Sequence, residues 1–240
     1  MLFYIDTIHG IPEYDFEYET VNAVKYLQWM YPNDQASYIT SLSEMSLPSE
    51  QYAPVGSIEF VCKWTEDVHK KKLMPINIPP ALFREKYLKR HVYFGIEQDA
   101  KIGYFAKQLN VFKGITQVVN APITTVGMYI FSEIIEIVSE WRVFVHHNDI
   151  QDIKPYCTDY RSVAKGFPPI DGIKQMIEDF RKDAPIAYTL DIALKHGKSL
   201  ALEMALLEVH DFFSCGLYGF AGPQVARMHW DWYQEQVIKR

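Results

Sequence analysis

Cysteine is scarce: Cys62, Cys157 and Cys215 are the only three in a chain of 240 residues, and they stand far apart. An odd, scattered set carries neither a disulfide framework nor a metal-type spacing, and suits reduced thiols in a cytosolic protein. Long apolar runs are also missing. No stretch approaches the roughly 18 apolar residues of a membrane span, and the apolar run after Met1 has no basic segment before it and ends at Asp6. Neither a span nor a signal peptide is expected, and the expected compartment is cytoplasm. Positive charge is not in excess: 24 Lys and Arg against 30 Asp and Glu leave a net charge of −6. Non-specific nucleic-acid binding needs a basic footprint, so a polyanion-coated surface is excluded, although a basic pocket inside an acidic protein is not. Lys70-Lys71-Lys72 reads as a solvated loop. Internal repeats and low-complexity tracts are absent.

What is present is enough apolar material for a substantial core, at 48% of residues, in one large domain or two small ones sharing a cleft. Residues 1–5, 36–42 and 55–62 read as strands. Residues 20–30 place Val21, Val24 and Leu27, with Trp29 as a further candidate, at helical spacing. The proline-rich segment 74–80 cannot hold a helix and links to a second region. There the pattern changes to β-hairpins: 103–109 with 114–119, then 128–137 and 141–145 with a turn at His147-Asn148-Asp149, then 186–194 with 200–209. Between them, Ile173, Ile177 and Phe180 give residues 170–181 one apolar face. Residues 225–238 read as an aromatic-rich helix that docks through its tryptophans. The fold class is α+β, with a small N-terminal α/β lobe over 1–85 and a second domain over 86–240.

Several strand residues look chemical. Alternation puts Lys107 on the face of Phe105 and Leu109, where a lysine is costly without a partner charge. Lys113 begins the partner strand, so both ammonium groups could converge on one anion; the plainer account has both snorkel to the surface. Arg142 lies mid-strand with Glu140 and Phe144 on its face, opposite Trp141, Val143 and Val145. It suits a fork for phosphate or carboxylate, or else a cross-strand ion pair. Asp191 faces away from Leu190, Ile192 and Leu194. Glu208 and His210 share a face, roughly 6.5 Å apart. Carboxylates on one side of a sheet fit a hard cation such as Mg²⁺ beside phosphate oxygens, and they also fit a plain solvent-facing edge.

Taken in order, these segments resemble the ATP-grasp superfamily, and most of all its divergent branch with one arginine and two lysines at the nucleotide, which includes a translation-initiation assembly factor. The resemblance runs over residues 103–219, with a weaker echo at 54–61. Phe105-Ala106-Lys107, Lys113-Gly114-Ile115-Thr116 and Glu140-Trp141-Arg142-Val143-Phe144-Val145 match the branch's basic strands. Leu190-Asp191-Ile192, Leu206-Leu207-Glu208-Val209-His210-Asp211 and Gly216-Leu217-Tyr218 match its closing motifs.

The resemblance implies an ATP-grasp fold, two β-rich lobes holding nucleotide between them. It also implies that Lys107, Lys113 and Arg142 contact ATP phosphates. Ser132-Glu133-Ile134-Ile135 would be the hinge that holds adenine, with Glu133 or Glu136 on the amino group or ribose. Asp191, Glu208 and His210 would form the Mg²⁺ site. Two departures stand out. The family has Asn where this chain has His210, so the imidazole sits beside the metal or the site is altered. A tight turn at Gly197 would set Asp191 opposite Glu203, so pairing it with Glu208 requires a wider loop.

The implied activity is an ATP-dependent carboxylate–amine ligase working through an acylphosphate, on an acid and an amine that the sequence does not name, a peptide or protein being one candidate, with no nucleic-acid or membrane partner. Phosphoryl transfer needs alignment and charge neutralisation more than covalent help, which two lysines, an arginine and Mg²⁺ supply. A kinase on the same fold and a non-catalytic nucleotide-binding assembly module are the alternatives.

Overall fold

The computed structural model describes residues 1–40, 51–156, 161, 164, 166–197 and 201–239. The first sheet is parallel, in the order β2-β1-β3, from β1 (Leu2–Asp6), β2 (Gln35–Ile39) and β3 (Ala53–Val55). Residues 41 and 42, included in the expected second strand, lie outside the described residues, as do Leu200 and Cys157. Helix α1 (Asp15–Leu27) starts five residues earlier than the apolar spacing suggests. Its start is fixed by polar chemistry: the buried Glu17 carboxylate accepts the backbone N–H groups of Glu13 and Tyr14 at 2.6 and 2.9 Å. Trp29 lies beyond the helix and is 76% exposed.

The strand expected over 55–62 is corrected. It ends at Val55, and α2 (Ile58–His69) follows. Ile58 and Phe60 alternate with Ser57 and Glu59 as a strand would, yet the Ser57 hydroxyl caps a helix by accepting the Phe60 N–H at 3.2 Å. The buried set Phe60, Val61, Trp64 and Thr65 then follows helical spacing.

The linker runs without a helix as far as Pro79 and is pinned where the Val209 N–H donates to the Asn77 carbonyl at 2.7 Å. Helix α3 (Glu85–Leu88) leads into an antiparallel sheet of order β4-β7-β5-β6, made of β4 (Val92–Ile96), β5 (Phe105–Gln108), β6 (Thr116–Val118) and β7 (Met128–Ser132). The third sheet, order β11-β10-β8-β9, holds β8 (Ile137–His146), β9 (Asp149–Pro155), β10 (Ala187–His196) and β11 (Leu202–Asp211). His147 and Asn148, at φ 52° and 64°, make the two-residue turn between β8 and β9.

Alternation divides the third sheet cleanly. Trp141, Val143, Val145, Leu190 and Ile192 pack against Ile173, Met176, Ile177 and Phe180 of α4 (Ile170–Phe180). The opposite face carries Glu140, Arg142 and Asp191. Helix α5 (Pro223–Tyr233) runs on into a π-helical stretch, Gln234–Lys239. It completes the N-terminal core: Trp232 and Tyr233 are buried in the cluster that also holds Phe3, Val24 and Phe212. The architecture is α+β. Among the described residues no helix is long and apolar enough to cross a membrane.

Candidate active site

Residues of the second and third sheets line a cavity of about 550 Å³. From the second sheet, Phe105 and Lys107 of β5 face it, while Ala106 between them is buried in that sheet's own core. From the third, Arg142, Asp191 and Glu208 face it. The Lys107 ammonium forms an ion pair with Glu208, so one salt bridge spans the two sheets.

Register explains how Glu208 comes to lie beside Asp191. The β10–β11 hairpin pairs His196 with Leu202, leaving five residues in the loop rather than a tight turn at Gly197. A β-bulge then shifts the pairing, from Ile192 with Leu206 to Asp191 with Glu208. Leu207 is the extra residue. Without it, Leu206 and Glu208 would share a face; with it, Leu206 and Val209 enter the core and Glu208 turns to the cavity.

Arg142 is held tightly. It lies directly across from Asp191 in the β8–β10 register, and its Nε and one terminal nitrogen donate to the two carboxylate oxygens at 2.7 Å each. The other terminal nitrogen donates to the Gly216 carbonyl at 3.0 Å. The rings of Tyr156 and Tyr218 each lie 5.0 Å from the guanidinium. Three of five N–H groups are thus engaged among the described residues, and two remain for a ligand. Burial works against charge on Arg142, but the hydrogen bonds to Asp191 outweigh it and raise its pKa. Burial likewise opposes ionisation of Asp191, and the bonds from Arg142 and His210 reverse this, holding its pKa below the usual range.

The His210 Nε2 lies 3.2 Å from Asp191 and 3.4 Å from Glu208. Glu140, on the Arg142 face, is pushed up to about 7, first by burial and then by the charges of Asp191 and Glu208. The segment Ser132 to Ile135 lines the cavity. The Glu133 carboxylate accepts the N–H of His91, just before β4, at 2.8 Å; Glu136 is exposed and does not line the cavity.

Lys113 is not brought to the cavity. β6 begins at Thr116 rather than at Lys113, and the intervening loop turns Lys113, at φ 52°, toward Glu59 of α2, 2.9 Å away. Sequence reasoning missed other lining residues. Tyr218 belongs to the Gly-Leu-Tyr motif and was recoverable. Tyr156 and Arg90 carried no local signal. Burial pushes Arg90 down to about 10, and it donates to the carbonyls of Leu88 and Leu206 at 3.0 and 2.6 Å.

A family model for an ATP-grasp domain, the second family of the clade named for one arginine and two lysines, matches residues 87–228, more than half of the chain. The chain belongs to the ATP-grasp family. Solved structures agree on the fold of this ATP-grasp protein. A RimK-domain ATP-grasp protein from Sphaerobacter thermophilus DSM 20745 is 10% identical over 96% of this chain and 98% of that one, with a TM-score of 0.59. D-alanine--D-alanine ligase from Bacillus anthracis is 8% identical over 98% and 97%, at 0.54. The ATP-grasp ligase PsnB, complexed with a minimal precursor, is 11% identical over 96% and 99%, at 0.52. At such identities the likeness concerns the fold. No curated protein matches the chain.

The donor set fits a nucleotide: apolar Ile78, Ile130, Ile137 and Leu207 share the cavity wall with Lys107 and Arg142. It fits Mg²⁺ in part. Glu208 offers hard oxygens, whereas both Asp191 oxygens already accept from Arg142, and an imidazole is a poor Mg²⁺ ligand.

Proposed function

We propose that this ATP-grasp protein is an ATP-dependent carboxylate–amine ligase that binds Mg-ATP between its second and third sheets. The observation carrying this reading is the Lys107–Glu208 pair across the cavity, beside the fixed Arg142 fork. A triphosphate arriving there replaces Glu208 as the counter-charge of Lys107 and takes up the two remaining Arg142 N–H groups. Glu208, released from Lys107, is then the carboxylate that would hold Mg²⁺, with phosphate oxygens and water completing the shell. Asp191 fixes Arg142, and His210 lies at its side. Lys113 would join the phosphates only by leaving Glu59. Ser132 to Ile135 would hold adenine.

Mg²⁺ would supply neutralisation of phosphate charge. The protein contributes alignment: Arg142 is pre-set by Asp191, so little reorganisation accompanies charge development. In the reaction a carboxylate oxygen of the acid attacks the γ-phosphorus and ADP leaves. The amine then attacks the acyl carbon of the acylphosphate, phosphate departs, and the ammonium proton is lost to solvent. Ligases sharing the fold, including D-alanine--D-alanine ligase and the precursor-bound PsnB, support an acid and an amine as substrates, with a peptide as one class. A cytoplasmic site of action is consistent with free Cys62 and Cys215.

Thermal shift with ATP, with and without Mg²⁺, tests the binding step, because a ligand that binds only the folded state must raise its melting temperature. Mg-ATP is expected to stabilise the wild type and to lose most of that effect with Lys107→Ala. Absence of any shift in the wild type would sink the proposal. Release of ADP and phosphate with matched acid and amine pairs tests turnover; a phosphorylated product without a new amide would make it a kinase.

A further inference from the structure

The C-terminal helix meets the β8–β9 hairpin at three side chains that the nucleotide cavity does not use. His146 ends β8 and is buried, His147 opens the turn, and Asp231 lies on α5. Successive strand residues point to opposite faces, so adjacent histidines ordinarily diverge. Here the left-handed backbone of His147, at φ 52°, folds its ring back until the two imidazole centroids are 4.3 Å apart. Both Nε2 atoms then face one oxygen, Oδ2 of Asp231, at 2.9 and 3.5 Å. Their ligating atoms lie within 4.8 Å of one another, and among the described residues this is the one such group of three.

We propose that His146, His147 and Asp231 form a binding site for a divalent transition metal of the Zn²⁺ class, which ties the C-terminal helix to the hairpin. An ion pair with Asp231 needs one histidine. A second imidazolium at ring-contact distance would repel the first, whereas two neutral rings and a carboxylate are a complementary ligand set. Two imidazole nitrogens and one carboxylate oxygen favour Zn²⁺, Co²⁺, Ni²⁺ or Cu²⁺ over Mg²⁺ or Ca²⁺. Bonds of about 2.0–2.2 Å in tetrahedral geometry put neighbouring ligand atoms roughly 3.3 Å apart. An entering ion therefore opens the 2.9 Å His146–Asp231 contact, closes the 3.5 Å His147–Asp231 contact slightly, and draws together two nitrogens that already lie within 4.8 Å. His147 is 60% exposed on its side chain and Asp231 33%, which leaves a coordination position open to water.

The surroundings hold the ligands in place. The His147 N–H donates to the Ile186 carbonyl at 2.8 Å, and the Ile186 N–H donates to Glu235, beyond α5, at 2.8 Å. The site is separate from the nucleotide cavity: His146 is four residues along β8 from Arg142, roughly 13 Å, and none of the three lines that cavity.

Cobalt titration of the metal-stripped full-length chain, followed by visible absorption, tests the assignment. The wild type is expected to develop the intense d–d bands of a four-coordinate site at one equivalent. Zn²⁺ at a hundredfold excess over Kd should raise its melting temperature by roughly 5–10 °C. Because His147 is exposed, His147→Ala should fold normally, keep its response to Mg-ATP, and lose at least about tenfold in metal affinity, since even an outer partner of a ligand is worth that much. Asp231→Asn, which preserves shape, should weaken binding likewise. His210→Ala separates this site from the acidic cluster in the cavity and should titrate as wild type. Equal titration of wild type and His147→Ala, bands lost only in His210→Ala, or no bands at all would each overturn the proposal.

Discussion

The second and third sheets hold their charges in opposite ways. In the third, β8 and β10 are buried along nearly their whole length, with a helix on one face and the N-terminal core against part of the other. Arg142 and Asp191 are almost wholly withdrawn from water and are paired with each other. In the second sheet, β6 is exposed throughout and the sheet's own core is five residues: Ala106, Val119, Ile123, Tyr129 and Phe131. Lys107, on the interior strand β5, and Lys113, in the loop before β6, are each paired with a carboxylate from another part of the molecule. The contrast separates a rigid floor, whose charges are fixed by folding, from a thinly packed cover whose charges can change partners. Regions with few buried contacts open at the lowest free-energy cost, so under the proposed function the nucleotide enters from the side of the cover.

The largest effect is therefore expected on the floor. Asp191→Ala leaves the Arg142 guanidinium buried without its carboxylate and should cost about 3–5 kcal/mol in chemical denaturation at pH 7. The pH dependence has a definite sign. With its folded pKa below the unfolded value of about 3.9, Asp191 contributes stability that is complete above that value and is lost as pH falls through the folded pKa. The gap between wild type and Asp191→Ala should narrow below about pH 4. A gap that stays constant into acid would show that Asp191 is not ionised in the fold.

Glu140 tests the same floor from the other direction. Its folded pKa of about 7 lies above the unfolded value of about 4.3. Ionisation thus destabilises the fold, with no penalty below about pH 4 and the full penalty above pH 7. Glu140→Gln should stabilise the protein by about 1–2 kcal/mol at pH 8, allowing for solvent screening, and leave it nearly unchanged at pH 4. Melting curves at the two pH values decide it. Equal effects at both would remove the burial argument.

The floor was more legible in the sequence than the cover. Long β-strands print their alternation directly, so Arg142 and Asp191 could be assigned to a face before any coordinates, and Glu208 only relative to His210. The bulge at Leu207 was not legible, because one inserted residue alters which side chains share a face without changing composition. The strand expected over 55–62 failed where Ile58 and Phe60 imitated alternation inside the first turn of a helix, and only the Ser57 cap argued otherwise. Tyr156 and Arg90 reach the cavity through tertiary placement, which no local pattern encodes. Lys113 shows the limit most clearly. Its motif matches the family, yet the neighbouring Phe112 packs against Phe213 of the N-terminal core and Lys113 itself is paired with Glu59 of α2, contacts that the local sequence does not encode.

The smallest expected effect on stability belongs to that residue. The Lys113–Glu59 pair is exposed on both sides, 56% and 64%, and such pairs contribute about 0–1 kcal/mol and weaken with salt. Lys113→Ala should change the denaturation midpoint by less than roughly 0.5 kcal/mol. Its effect on Mg-ATP affinity is the informative measurement. If Lys113 exchanges Glu59 for phosphate when nucleotide binds, Lys113→Ala should weaken Kd by about tenfold, a loss of about 1.4 kcal/mol. Glu59→Gln should then strengthen binding, because the competing carboxylate is gone. Opposite changes in the two variants, with stability flat in both, would make the cover a part that rearranges its charges around the ligand. Unchanged Kd in both would reduce the phosphate grip to one cation from each sheet, Lys107 and Arg142, and leave Lys113 as a tether between the loop and α2.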